Sequence, residues 1–275
     1  MNQIHYVMKQ QFTLILRSKW LVSFGVLFSF LAIFIGYFGQ SGQSGFEGFN
    51  RMTASLLNLN LLLIPLISLL VGSLFLAGEK EDRGLMLMLT YPVDVRSVLI
   101  GKYMGLFLAM WSVVTFGYGA SLLMMFVSSA DISLPMILKF YLLSLLLAAI
   151  FLAMAVLVGL LSKTRFQALG TSLFVWAFLV LFYEFLVMGM TFLVAKQWIL
   201  FALSLSIFLN PVELIRVWSI LSLDGAAVFG PSLYELTIWA NGWQGKVLFT
   251  VATLVWILVP FGLSSFVLRR RVGNE

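Results

Sequence analysis

Cysteine is absent from this 275-residue sequence, and its single histidine is His5. Without thiols the chain can form no disulfide framework, no thiolate metal site and no dithiol redox couple. The sequence also lacks the G-x-x-x-x-G-K-[ST] phosphate-binding loop and the H-E-x-x-H zinc motif. Its 13 methionines could bind Cu(I), but methionine is also an ordinary gap filler in apolar helices. We therefore predict no catalytic residue, no metal site and no bound cofactor in this chain, and we do not expect an enzyme.

Charged residues are scarce as well, at 10% of the chain against roughly 25% in soluble domains. In their place, 61% of the residues are hydrophobic, and the mean hydropathy is +1.05. About 18 or more consecutive apolar residues allow a helix to cross the hydrocarbon core of a membrane. Such runs recur at 21–38, 52–77, 103–130, 140–162, 166–195 and 247–268. The sequence therefore predicts an all-α integral membrane protein with six transmembrane helices.

The positions of Lys and Arg predict how these spans are oriented. With a cytoplasmic N-terminus and six spans, twelve of the 17 Lys and Arg residues fall on the inner side and five on the outer side. Cytoplasmic loops of membrane proteins carry such an excess of positive charge, so both termini are expected in the cytoplasm. The net charge of +6 then reflects topology and anionic lipid headgroups, and no nucleic-acid partner is expected. The predicted location is the cell inner membrane.

Residues 3–18 precede the first span and have the periodicity of a helix. The apolar face contains Ile4, Val7, Met8, Phe12 and Ile15, and the opposite face contains Lys9, Gln10, Thr13 and Arg17. This pattern predicts an amphipathic helix in the inner interface, with its basic residues toward anionic membrane lipids. The alternative is a solvated N-terminal extension.

The segment 196–245, between the fifth and sixth spans, is expected to form an outer platform of short re-entrant or interfacial helices. Its apolar part, 197–209, is too short to cross a membrane. Asn210 is expected to cap a helix that starts at Pro211, in which Glu213 and Arg216 can pair one turn apart. The alternative of two more spans, at 197–212 and about 214–230, costs roughly 2.5–3.5 kcal/mol for each central charge.

Glu184 is the one acid inside a predicted span. It follows Ala168 by about 24 Å of helical rise, which puts it in the outer half of the membrane in this topology. A carboxylate in the membrane must be neutral, paired, or face a wet interior or a dimer interface. Two interpretations stay open: a transport-path or force-transmitting contact, or an interfacial acid near the outer headgroups.

The cytoplasmic loop 78–102 is the densest patch of charge in the sequence. Acidic residues at 79–82 are followed by the apolar run 85–89, which is too short to span and cannot form a core alone. Pro92 disfavours helix in the residue before it, so the segment should end near Thr90 and Tyr91. A short helix with apolar and charged surfaces suits docking into a groove of a soluble protein. The alternative is a solvated helix end.

This loop resembles the coupling-helix region of ABC-2-type transporter permeases. The matching residues are Glu79, Glu81, Gly84, Leu85, Leu89, Thr90, Pro92, Arg96, Gly101 and Lys102. The six-span layout, the N-terminal helix and the long last outer segment extend the resemblance over the chain, so 1–275 is expected to be one transmembrane domain. In coupling to an ATPase, we expect Glu79 and Glu81 to orient the segment, 85–89 to fill the groove, and 90–92 to end it.

A narrower resemblance is to NosY-type permeases of the nitrous-oxide reductase maturation system. It rests on 89–92, on the Asn-Pro segment 209–216 and on the arginines 269–271. The resemblance implies a homodimer, a NosF-like cytoplasmic ABC ATPase that binds ATP and Mg, and a NosD-like periplasmic repeat protein. It also implies that this partner contacts the platform, for which the candidate residues are Asn210, Pro211, Glu213 and Arg216.

The function implied is that of a permease subunit that couples ATP hydrolysis to transport or mechanical transmission at the periplasmic side. The resemblance implies copper-site maturation, with a copper or sulfur species as cargo. Two alternatives stay open: an ABC-2 exporter of a lipid, peptide or drug, and a membrane anchor without transport.

Overall fold

A computed structural model describes residues 2–38, 51–84, 94–127, 134–222 and 234–272. In chain order the α-helices are α1 (Asn2–Leu16), α2 (Lys19–Phe38), α3 (Arg51–Glu81), α4 (Val95–Val127), α5 (Leu134–Leu161), α6 (Arg165–Ala177), α7 (Tyr183–Leu193), α8 (Ile199–Leu209), α9 (Pro211–Ser222), α10 (Tyr234–Asn241) and α11 (Trp243–Val272). No strand occurs in these ranges, so the predicted all-α class is confirmed for this part of the chain.

Five helical segments are long and apolar enough to cross a membrane: Thr53–Glu81, Val95–Met124, Leu134–Leu161, Arg165–Leu193 and Trp243–Arg270. Two bent pairs, α1–α2 and α8–α9, raise the possible number to seven if each pair forms one span. The predicted six lies within this range. The segment Arg165–Leu193 contains α6 and α7, which are joined by a π-helical turn at Phe178–Phe182.

Helices α1 and α2 meet at an angle of 68°, and α1 packs along α4. Of the predicted apolar face, Val7 and Ile15 are buried, and the predicted polar face is exposed. Gln11 was assigned to neither face, yet it is also buried. Its position follows from the helical repeat, because Gln11 lies four residues from both Val7 and Ile15.

The centre of the fold is the contact between α3 and α5, whose apolar windows are each 72% buried. Small residues bring the two backbones close together. A Cβ atom added to Gly72 would lie 2.7 Å from the Cβ of Ala155, and one added to Gly159 would lie 2.9 Å from that of Leu76. In lipid, where hydrophobic burial drives helix association only weakly, such close backbone packing supplies much of the attraction.

Helices α8 and α9 are bent by 106° at Asn210, where the sequence predicts the break. Asn210 Oδ1 accepts a hydrogen bond from Val212 N at 2.9 Å, which confirms the predicted cap. Most residues of α9 are buried, because this helix inserts against α5, α8 and α11. Lys139 of α5 also donates to the carbonyl of Ser222 at the end of α9, at 2.7 Å. This part of 196–245 is therefore packed into the helical bundle.

Candidate functional site

Polar contacts connect five helices around the end of α3, namely α1, α3, α4, α5 and α6. The last turns of α3 and α5 and the first turns of α4 and α6 meet at this end of the bundle. We call this set the loop-end cluster; its members are Gln11, Glu79, Lys80, Glu81, Asp82, Lys102 and Arg165.

The centre of the loop-end cluster is an ion pair between Glu79 of α3 and Lys102 of α4. The Lys102 side chain is only 5% exposed, and that of Glu79 is 22% exposed. Lys102 Nζ also donates to Gln11 Oε1 of α1 at 3.3 Å. A buried charge is costly unless it is paired and hydrogen-bonded, so the two acceptors stabilise the lysine where it is. Three helices are joined at this one ammonium group.

Lys80 connects the end of α3 to the end of α5. Its Nζ donates to the carbonyl of Leu160 at 3.1 Å and to that of Ser162. The last carbonyls of a helix have no partner within the helix, and they carry partial negative charge. A lysine at this position satisfies those carbonyls and fastens the two helix ends together.

The start of α6 is held by the next two acids. Glu81 Oε2 accepts a hydrogen bond from the backbone N–H of Arg165 at 2.8 Å, and Asp82 forms an ion pair with the Arg165 side chain. Thr164 caps the same helix by accepting from Gln167 N at 3.2 Å. Both side chains of the Asp82–Arg165 pair are more than half exposed, and such pairs contribute little to stability. The Asp82–Arg165 pair therefore fixes the position of the start of α6 and adds little to the free energy of unfolding.

The predicted coupling residues therefore fall into two groups. Glu79 is engaged with Lys102 inside the bundle, while Glu81, Gly84 and Arg96 are exposed. Leu85, Leu89, Thr90, Tyr91 and Pro92 lie outside the described residues. Their docking role stays a prediction, and the structure adds how the chain on either side of them is anchored.

A second set of polar residues lies far from the loop-end cluster, at the junction of α7 with α9. We call it the distal cluster; its members are Glu184, Glu213 and Arg216. Arg216 Nη1 contacts Glu213 Oε1 at 2.9 Å and also pairs with Glu184. The predicted pairing of Glu213 with Arg216 is confirmed. Two carboxylates share one guanidinium, which leaves one excess negative charge.

The distal cluster is next to the π-helical turn, and Asn210 bridges the two. Asn210 is fully buried, and its Nδ2 donates to the carbonyl of Leu179 in that turn at 2.7 Å. Tyr183 Oη donates to the carbonyl of Ser206 in α8 at 2.8 Å. Since π-helical turns are frequent at functional sites, this docking of α8–α9 against α6–α7 marks the region as a candidate.

Burial also bears on the predicted contact with a periplasmic partner. Asn210 and Pro211 are buried within the chain, whereas Glu213 and Arg216 are partly exposed. A partner could therefore reach the two charged side chains, while Asn210 and Pro211 would act through the shape of the α8–α9 turn. The contact itself stays a prediction.

We predict that Asn210→Ala lowers the free energy of unfolding by about 1–3 kcal/mol. The change removes the partners of two buried backbone groups, the carbonyl of Leu179 and the N–H of Val212. Thermal unfolding of the purified protein in detergent measures the effect. The matched control is Asn241→Ala, at an exposed position. Equal unfolding temperatures for the two variants would show that the Asn210 contacts contribute nothing.

Within the described ranges, no three His, Asp or Glu side chains converge in a way that could hold a metal ion. Of the methionines, Met154 packs against the main core, and Met188 is exposed on α7.

Comparison with known proteins agrees with this architecture. Residues 6–271 match the model of the ABC-2 family transporter protein. The chain is 30% identical to the probable ABC transporter permease protein NosY of Stutzerimonas stutzeri, over 99% of this chain and 100% of that protein. It is 31% identical to the probable ABC transporter permease protein NosY of Pseudomonas aeruginosa, over 93% of this chain and 94% of that protein. The chain therefore belongs to the ABC-2 transporter family, as a multi-pass membrane permease.

Proposed function

We propose that this chain is the permease subunit of an ABC transporter in which a separate cytoplasmic ATPase drives transport or movement at the periplasmic side. We further propose that it serves copper-site maturation of nitrous-oxide reductase. The two NosY relatives, matched over nearly their whole length, support this choice over export of a lipid, peptide or drug. The cargo class is a copper or sulfur species.

The proposed topology has six spans, formed by α2, α3, α4, α5, the α6–α7 segment and α11, with both termini in the cytoplasm. Helix α1 then lies in the inner interface, and α8–α9 re-enters the outer half of the membrane. The bends of 68° and 106° support these last two assignments, since a straight span would not turn so sharply. The excess of Lys and Arg on the inner side supports the orientation.

The observation that carries the coupling proposal is the loop-end cluster. The segment 85–93 connects α3 to α4 in the chain, and the ion pair of Glu79 with Lys102 joins these two helices. Lys80 and Glu81 extend the connection to α5 and α6. A displacement of the segment by a closing ATPase would therefore reach four helices as a rigid-body movement.

The chain lacks a phosphate-binding loop, so nucleotide chemistry must come from the partner. We propose a NosF-like ATPase that binds ATP and Mg, a NosD-like periplasmic protein, and two copies of this chain in the inner membrane. Span α6–α7 is only 11% buried within the chain. Such an open surface supports contact with lipid or with a second copy of this chain. Glu184 is half exposed on it, and because a carboxylate facing lipid is costly, it favours contact with a second copy.

Docking is tested by replacing residues 85–92 with a Gly/Ser linker of equal length. We expect the chain to insert in the membrane as before, and co-purification of the ATPase to fall at least about tenfold, the equivalent of 1.4 kcal/mol in binding. The matched control is the same replacement at 40–47, in the loop predicted to lie on the opposite side. ATPase recovery equal to the unmodified protein would refute docking through this segment.

The same two replacements test the maturation role in a host that reduces nitrous oxide. Nitrous-oxide reductase should accumulate with incomplete copper in the 85–92 variant and with full copper in the 40–47 variant, as measured by metal analysis of the purified enzyme. If nitrous-oxide reductase holds its full copper in both variants although the 85–92 variant has lost the ATPase, the maturation role is refuted and the coupling proposal is not.

A further inference from the structure

Lys102 is more deeply buried than the other described basic side chains at this end of the bundle. Arg17, Lys19, Arg96 and Lys163 are exposed and Lys80 is half-buried, whereas Lys102 is buried. A lysine near the end of a transmembrane helix ordinarily extends its ammonium group toward water. Lys102 instead turns inward to Glu79 of α3 and Gln11 of α1. Because burial of an ion pair carries a desolvation cost, this geometry requires an explanation other than membrane anchoring.

The two glycines beside Lys102 press α1 against α4. A Cβ atom added to Gly101 would lie 2.7 Å from Val7 Cβ, and one added to Gly105 would lie 2.6 Å from Gln11 Cβ. Glycines four residues apart let two helix backbones approach closely. Gln11 therefore touches α4 twice, through its Cβ at Gly105 and through its amide oxygen at Lys102. Helix α1 cannot slide along α4 without losing both contacts.

We propose that Lys102 and Gln11 are positioning residues for ATPase coupling. Together with Glu79 they form a clamp that fastens α1 to the two helix ends flanking the segment 85–93. In consequence α1, the end of α3 and the start of α4 move as one unit when the segment is displaced. The inference rests on the proposed function and adds α1 to the part of the permease that the ATPase moves.

The polar character of the clamp fits this role. An ion pair with a second hydrogen bond from the same ammonium group is directional, so it specifies one register among the three helices, whereas apolar side chains would allow neighbouring registers. The Glu79–Lys102 pair also closes the chain between these residues into a loop. A displacement of that loop then moves α3 and α4 together. With the ion pair removed, each helix end could move separately, and the displacement would not be transmitted to both helices.

The test uses the permease co-purified with its ATPase, and it compares Lys102→Met and Gln11→Met with the exposed control Lys19→Met. Gln11→Met keeps the approximate volume of the side chain and replaces its carboxamide, including the Oε1 acceptor, with an uncharged thioether, which makes it the variant least disturbed in folding. We expect both clamp variants to bind the ATPase as before. Permease-dependent stimulation of ATP hydrolysis should fall by about fivefold or more, while the control is unchanged.

Exchange of the pair, Glu79→Lys with Lys102→Glu, distinguishes coupling from simple stabilisation. We expect this double variant to recover much of the stimulation that Lys102→Met loses. A second comparison sets Gly105→Ala, which separates α1 from α4, against Gly119→Ala on the same helix, where an added Cβ meets nothing within 4 Å. Only Gly105→Ala should reduce stimulation.

Two results would overturn the clamp. One is full stimulation in Gln11→Met and Lys102→Met. The other is an exchanged pair that restores the unfolding temperature and leaves stimulation lost, since the pair would then serve folding alone. Failure of the unmodified permease to bind any ATPase would refute the proposed function instead, so the two failures can be told apart.

Discussion

Replacing Arg216 with Met lowers the free energy of unfolding by about 1–3 kcal/mol, the cost of leaving a partly buried acceptor without its hydrogen-bond partner. The loss follows because Glu184 and Glu213 share this one guanidinium. Glu213 is 18% exposed and Glu184 is 50% exposed, so Glu213 should account for most of the effect. Unfolding of the detergent-solubilised protein, followed by intrinsic tryptophan fluorescence, measures the change.

The origin of the Arg216 effect is tested by removing the charges that the variant leaves behind. Glu184→Gln and Glu213→Gln, added to Arg216→Met, should restore most of the lost stability because no uncompensated carboxylate remains. Lys246→Met serves as the control, since this lysine is exposed at the start of α11. If Arg216→Met is no less stable than this control, or if the triple variant gains nothing, the distal cluster does not hold α7 to α9.

Gly72→Ala is expected to lower the free energy of unfolding by about 1–3 kcal/mol, as for other overpacked cores. The new Cβ would lie 2.7 Å from the Cβ of Ala155, which is closer than two carbon atoms can approach without a shift of the backbone. Both helices are tightly packed at this point, so a shift in one disturbs the other. Equilibrium unfolding in mixed detergent micelles gives the difference from the unmodified protein.

A double-mutant cycle shows whether that effect arises from this one contact. Ala155→Gly removes the atom that the new Cβ meets, so Gly72→Ala with Ala155→Gly should be more stable than the sum of the single changes by about 0.5–3 kcal/mol. Gly170→Ala is the control, because a Cβ there meets nothing within 4 Å. Additive behaviour of the pair, or equal losses at 72 and 170, would contradict the close approach of α3 and α5.

Several features of the fold could be predicted because their signals are local in the sequence. The apolar runs locate the long helices, and Asn210-Pro211 marks the break between α8 and α9. The spacing of Glu213 and Arg216 by one helical turn correctly predicts that they pair. The spacing of Gly101 and Gly105 also predicts close packing of α4 against another helix, since small residues four apart are typical of such contacts.

Other features of the two clusters could not be predicted, because they depend on which helices become neighbours. Glu184 and Arg216 lie on different helices, and no periodicity relates them. Lys102 counts in the sequence as one more positive charge near a helix end, which predicts exposure, and its burial follows from the positions of α1 and α3. Gln11 could have been noticed as a polar residue on the apolar face of α1, although its partner could not.

The amino-acid sequence by itself determined that this protein is a helical membrane chain that lacks the G-x-x-x-x-G-K-[ST] motif, because hydropathy, charge bias and short motifs are properties of the chain. Only the tertiary structure decided which charges are shared between helices. The reason is physical, since the cost of burying a charge depends on the partners that other helices bring to it. Glu79, Lys102 and Gln11 meet only in the folded bundle, as do Glu184 and Arg216.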